Sequence, residues 1–261
     1  MNRAKANTPT VDSRAGRMLD GLRPEWRAGG YARDNGAVAF HTRVNSLLTP
    51  DMVVIDLGAG RGEAFHTGAF GFLQNLVKLQ GKVKQVIGVD VDSAVLSHPF
   101  LDERYVVSAE DPLPAADASI DMVVADWVFE HVDDPQRLAG ELERVVKPGG
   151  WICARTPNKW GYVGLGARLL PNWAHTRFLR LLWPERKVID VFPTRYRLNS
   201  LAALNRYFPR SAWDNFSFRH NPTPKYTANS ALLFVMVDLV QTIAPAPMKT
   251  DLIVMLRKRH Q

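Results

Sequence analysis

One junction constrains this chain more than any other feature. A β-branched run, Val53-Val54-Ile55, opens directly onto Asp56-Leu57-Gly58-Ala59-Gly60-Arg61-Gly62. The run reads as a buried strand. Glycines after it let the backbone turn sharply and approach a ligand, with the free amides of a helix N-terminus just beyond. A dinucleotide-binding loop needs glycines at its first, third and sixth positions. Counted from Gly58, the sixth position is Glu63, and the glycines stand first, third and fifth. The acid two residues before the first glycine, Asp56, opposes a pyrophosphate but suits a cationic ligand with an ammonium group. A glycine turn with no ligand is the competing reading.

The pattern downstream repeats strand and helix. Strands are predicted at Gln85–Val89, Tyr105–Val107, Met122–Ala125 and Trp151–Ala154, with late strands at Asn215–Arg219 and Asp251–Leu256. Helices are predicted over Ala37–Leu48 and Arg61–Gln80, and after Asp134, an N-cap followed by Pro135 at the first helical position. Lys147-Pro148-Gly149-Gly150 ends that last helix. The expected fold is α/β: a Rossmann-like, mostly parallel seven-stranded sheet with helices on both faces. Residues 1–36 read as a loose polar arm and 37–261 as the domain, with 160–199 a helical lid inserted over it. The apolar run Ala231–Ala244 reads as a core helix followed by an edge strand. Its alternative is a membrane-surface role shared with the basic cluster Arg257-Lys258-Arg259.

Ile87-Gly88-Val89-Asp90 ends the second strand in a carboxylate, which at that sheet edge can accept both hydroxyls of a ribose. Asp92 reads as a helix cap. Further on come Ala109-Glu110-Asp111, the stretch Asp121–Val132, Val146-Lys147-Pro148-Gly149-Gly150 and Thr156-Pro157-Asn158. Taken in order over Val53–Asn158, these elements resemble the class I S-adenosylmethionine-dependent methyltransferases, of the small-molecule type related to the quinone C-methyltransferases. The resemblance implies S-adenosyl-L-methionine as cofactor. Asp56, Leu57, Gly58, Ala59, Gly60 and Gly62 would hold its methionine part and Asp90 its ribose. Val91 would pack on the adenine, Ala109 and Glu110 would line the adenine edge, and Asp126 and Trp127 would stand near the reacting methyl. Where the family usually carries an acid, this chain has Ser108.

Methyl transfer to oxygen benefits from a general base. His131, beside Glu130 after the fourth strand, is the candidate; bracing the next helix is its alternative role. His41 and His66 are weaker candidates for the cofactor side, and the seven histidines show no metal spacing. The segment Asp126-Trp127-Val128-Phe129 lacks the Asn/Asp-Pro-Pro-aromatic signature of amino-methylating nucleic-acid enzymes.

Composition bears on the acceptor. With 46% hydrophobic and 23% charged residues the chain is a globular protein rather than a disordered one. One cysteine, Cys153, and the lack of an apolar leader point to a cytoplasmic protein. The net charge of +7 is divided: residues 1–154 carry 16 basic and 21 acidic side chains, residues 155–261 carry 17 and 5. Tyr162, His175, Tyr196 and Arg197 are expected to meet an acceptor, since aromatic faces suit sugars or acyl groups and arginine suits phosphate or carboxylate. The segments around them are similar to stretches of methyltransferases found alongside bacterial glycan and lipid biosynthesis. The expected function is therefore methyl transfer, at oxygen, to a small-molecule, glycan or lipid-linked acceptor, anionic and close to a membrane surface. The other class is an RNA-directed methyltransferase or a non-enzymatic nucleic-acid-binding module on the same fold, against which no separate RNA-binding domain is visible.

Overall fold

The computed structural model describes residues 14–62, 71–169, 193–224, 227 and 230–260. Its strands are β1 (Val53–Leu57), β2 (Gln85–Asp90), β3 (Glu103–Val106), β4 (Ile120–Asp126), β5 (Val146–Pro157), β6 (Trp213–Asn215), β7 (Phe218–His220) and β8 (Asp251–Lys258). They form one sheet in the order β3-β2-β1-β4-β5-β8-β6, with β7 also paired to β8. Pairing is parallel from β3 across to β5, and β8 runs antiparallel to β5, β6 and β7. The α/β, Rossmann-like class is as the pattern predicts; the strand count is eight rather than seven. The late strand breaks at Phe216 and Ser217. The Phe216 amide donates to the Met255 carbonyl, but the Met255 amide turns to the Ser217 hydroxyl, which interrupts the ladder as a bulge does.

The helices are α1 (Arg14–Leu22), α2 (Gly36–Leu47), α3 (Gly71–Val77), α4 (Pro135–Val145), α5 (Tyr162–Leu169), α6 (Leu201–Tyr207) and α7 (Ala231–Ile243). Alternation along each strand sorts the core into two layers. Ile55, Ile87, Val123, Ala154 and Val254 meet Ala139, Leu142 and Val145 of α4 on one face. Val54, Val86, Met122, Cys153 and Met255 meet Phe40 and Val44 of α2 on the other. Helix α4 starts as predicted, with the Asp134 side chain accepting from the Arg137 amide and Pro135 at the first position. Of the predicted Arg61–Gln80 helix, α3 is the described part.

Two expectations give way to tertiary contacts. The opening segment, read as a loose arm, is helical from Arg14, and Trp26 is buried. Arg23 anchors it by ion pairs to Asp34 and to Asp238 of α7, with its guanidinium over the Phe234 ring. Helix α7, read as a core helix, instead lies on the surface, with Phe234 and Gln241 its buried residues. The strand after it, β8, is internal rather than an edge. Among the described residues no helix is long and apolar enough to cross a membrane.

Candidate active site

Strands β1 and β4 are neighbours at the middle of the sheet, and each carries an acid toward its carboxyl end, Asp56 and Asp126. Beside them opens a cavity of about 330 Å³. Asp56, Gly58, Ala59 and Gly62 line it from β1 and its following loop, Asp126 and Trp127 from the end of β4, and His41 from α2; His98, packed against Gly62, and Phe100 line it as well.

The loop's shape follows from its glycines. Gly58 has φ of +70°, and a Cβ there would lie 2.3 Å from Cγ2 of Val128. No other residue type fits that position unstrained. The loop is closed onto β2: the Gly58 amide donates to the Val89 carbonyl at 2.7 Å, and the Gly60 amide to Asp90 Oδ2 at 2.8 Å. Asp90 Oδ1 accepts from the Asp92 amide, while the Asp92 carboxylate caps the short turn Ser93–Ser97. Both Asp90 oxygens therefore hold backbone amides of the turns on either side of it.

The two central acids differ sharply. Burial pushes the Asp56 carboxyl up to about 7, and the nearby charges of Asp126 and Asp90 act in the same direction. Among the described residues no ion pair involves it. Burial would raise Asp126 too, but the Arg155 charge and hydrogen bonds from His41 and Arg155 outweigh it and hold Asp126 well below the usual carboxylate range. Arg155, itself buried on β5, grips both Asp126 oxygens at 2.7 Å, and His41 Nε2 lies 3.2 Å from Oδ2. Next to this pair Trp127 has φ of +63°, in the left-handed region, with its ring against the Arg155 guanidinium. A bulky residue held there signals a site that over-determines its backbone.

Glu130, after β4, is almost fully buried, and burial pushes it up to about 7 against hydrogen bonds from the backbone and Thr156. Thr156 Oγ1 donates to Glu130 Oε2 at 2.8 Å, and Asn199 Nδ2 donates to Thr156 Oγ1 at 2.6 Å. His131 Nε2 lies 3.9 Å from Glu130 Oε1, and its Nδ1 faces the Pro193 carbonyl at 3.0 Å. The Arg195 and Tyr196 amides donate to the Glu130 carbonyl. Residues 193–197 are thus stitched to the turn 130–133.

The sequence-predicted residues are distributed as follows. Asp56, Gly58, Ala59, Gly62, Asp126 and Trp127 share the cavity lining, and Asp90 is bonded to Gly60 of the same loop. Leu57 instead points into the core on the opposite face, so only its backbone is at the loop. Val91, Ala109 and Glu110 are exposed beyond the ends of β2 and β3, outside the cavity wall. Tyr162 opens α5, half-buried; Tyr196 has φ of +54°; Arg197 pairs with the Asp133 carboxylate. His175 and His66 lie outside the described residues. Arg155 escapes sequence reasoning, as does the burial of Glu130, named only as the neighbour of His131, and of His41, read only as a weaker candidate for the cofactor side. Thr156-Pro157-Asn158 was the available signal near Arg155; for the pairing of His41 with Asp126 there was none.

The methyltransferase domain family matches residues 55–154. A probable S-adenosylmethionine-dependent methyltransferase of Mycolicibacterium smegmatis is 42% identical over 81 residues, 29% of this chain and 31% of that protein. The ubiquinone biosynthesis O-methyltransferase of Thiobacillus denitrificans is 41% identical over 114 residues, 41% of this chain and 44% of that protein. Each alignment thus spans less than half of the relative's length. In structure the chain is similar to a chain from the complex of the Haloferax volcanii Trm112 methyltransferase activator with a methyltransferase, at a TM-score of 0.52 and 16% identity over 96% of both chains.

Proposed function

We propose, from the match of residues 55–154 to the methyltransferase domain family, that the protein is a class I S-adenosylmethionine-dependent methyltransferase that transfers a methyl group to the oxygen of a small-molecule, glycan or lipid-linked acceptor. The observation that carries the cofactor half is Asp56, an acid in a cavity with no described cationic partner and a carboxyl pushed up to about 7. Such a group is satisfied by an ammonium ion, so the donor set suits the amino-acid end of S-adenosylmethionine. When bound, the cofactor supplies a sulfonium methyl already activated for in-line attack.

The chain's own residues would do the rest. The Gly58–Gly62 turn and Asp56 bind the amino-acid end, and Asp90 accepts the ribose hydroxyls while still holding Gly60. Val91, with Ala109 and Glu110, offers the exposed ledge for an adenine. Asp126, fixed by Arg155 and His41, sets the position of Trp127 at the reacting end. His131 takes the acceptor proton at an imidazole nitrogen. Its contact with the Pro193 carbonyl supports this role by orienting the ring. Tyr162, His175, Tyr196 and Arg197 would receive the acceptor, with Arg197 exchanging its Asp133 partner for an acceptor anion.

A labelled-methyl assay on cell extract separated into lipid, glycan and RNA fractions tests the reading. Label in lipid or glycan is expected; label in RNA would replace this acceptor class with the nucleic-acid one. Calorimetry that detects no S-adenosylmethionine binding would remove the enzyme reading altogether. His131→Ala should cut turnover about 100-fold or more while leaving cofactor affinity unchanged. Unchanged turnover would take His131 out of the mechanism.

A further inference from the structure

Helix α7 is built inside out. Its inward side carries polar groups: Gln241 Nε2 donates to Thr250 Oγ1 at 3.2 Å, and Asp238 pairs with Arg23 at 2.6 Å. Its outward side is aliphatic. Leu232 is 71% exposed, Val235 49%, Met236 55%, Leu239 59%, Val240 52% and Ile243 72%. At about 100° per residue these six fall within an arc of roughly 140°. Pro245, Ala246, Pro247 and Met248, all exposed, extend the strip. From Leu232 to Met248 the only charged residue is Asp238, which is paired. A surface helix in water shows the reverse arrangement, and an apolar strip of this kind marks a contact surface.

A second copy of the chain is a poor occupant. The helix is about 20 Å long, and two copies that each carry +7 repel one another, whereas an anionic surface attracts them. On a lipid surface each side chain also inserts on its own. The helix is too short to cross a bilayer but suits lying in its interface. Charge agrees: the chain carries +7 overall and Lys249 follows Met248 directly, whereas the basic cluster Arg257-Lys258-Arg259, expected to share this surface, lies at the opposite end of β8, where Arg257 pairs with Trp151. Position agrees as well. Asn158 Nδ2 donates to the Pro247 and Lys249 carbonyls, and Asp251 is paired with Pro157, so the 245–248 turn sits at the carboxyl end of β5, the sheet edge that bears the cavity.

We propose that α7 and the 245–248 turn dock the protein on an anionic membrane surface, with the six aliphatic side chains in the acyl boundary. The proposal stands independently of methyl transfer, since docking is measured without cofactor or acceptor. Co-sedimentation of the full chain with phosphatidylcholine vesicles, with and without phosphatidylglycerol, tests it. Binding to the phosphatidylglycerol vesicles at low salt is expected, and it should fall about tenfold or more in the Leu232→Ser, Leu239→Ser, Ile243→Ser triple variant, its circular dichroism unchanged. No sedimentation, or equal sedimentation of the variant, overturns the proposal.

A second readout serves if the triple variant misfolds. Cys153 is buried, so a thiol placed by Leu239→Cys can be labelled selectively with an environment-sensitive dye. A blue shift on adding vesicles supports docking. A dye already shielded without lipid assigns the face to another part of the chain or to a second copy, and also overturns it.

Discussion

Asp56 ties the stability of the site to pH. Its folded value, about 7, lies above the ordinary carboxylate value. The stability tied to its protonated form is therefore complete below the unfolded value and is lost as pH rises through 7. Asp56→Asn removes the charge that the cavity must bury at high pH. It should raise the Tm of the cofactor-free protein by roughly 2–6 °C at about pH 8 and much less at about pH 5. Cofactor affinity moves the opposite way: in the parent protein it should strengthen as pH rises through 7, and Asp56→Asn should lose both the affinity and that dependence. Calorimetry at both pH values checks the pair; an affinity that is flat with pH would separate Asp56 from the ammonium. Arg155 illustrates a different economy at the same scale. Its buried charge is retained because Asp126 meets it with two hydrogen bonds, and removing either partner would strand the other in the interior.

At the scale of elements, the loop after β1 is where sequence and structure coincide most closely. Its glycine pattern was legible because positive φ is a local property, and Gly58, Gly60 and Gly62 all adopt it. Gly58→Ala should destabilise the fold by about 2–4 kcal/mol, combining φ strain with the collision against Val128. Chemical denaturation measures this, and a cost below about 1 kcal/mol would mean that the loop relaxes freely. Helix α4 was equally legible, from its Asp134 cap, Pro135 and apolar spacing. Helix α7 was not: hydropathy marks a run as apolar without saying which side faces inward. Phe234 goes in, and Asp238 and Gln241 turn toward Arg23 and Thr250, which leaves the aliphatic side in the open.

At the scale of the molecule, the acidic front and basic back interlock rather than forming separate lobes. Arg155 meets Asp126, and Arg195 and Arg197 meet Asp133, each pair crossing the division at residue 154. Cys153 sits in the central layer where β5 lies between β4 and β8, and burial pushes its thiol up to about 12. It should resist thiol reagents in the native state and react only as fast as the whole sheet opens, so its modification rate in stopped-flow measurements reports global unfolding. Rapid native modification would show that the β5–β8 side opens on its own.

By itself, the sequence determined the features that depend on neighbours along the chain: strand alternation, the glycine turn, the cap of α4, and acids at the ends of β1 and β2. These follow from φ preferences and side-chain periods that act over a few residues. Only the tertiary structure decided the rest. His41 meets Asp126 across 85 positions, Arg155 meets Asp126 across 29, and Arg23 meets Asp238 across 215. No local pattern encodes such pairs. They form because buried charges must find partners once the sheet has brought distant segments together, and those partnerships set both the shape of the cavity and the outward face of α7.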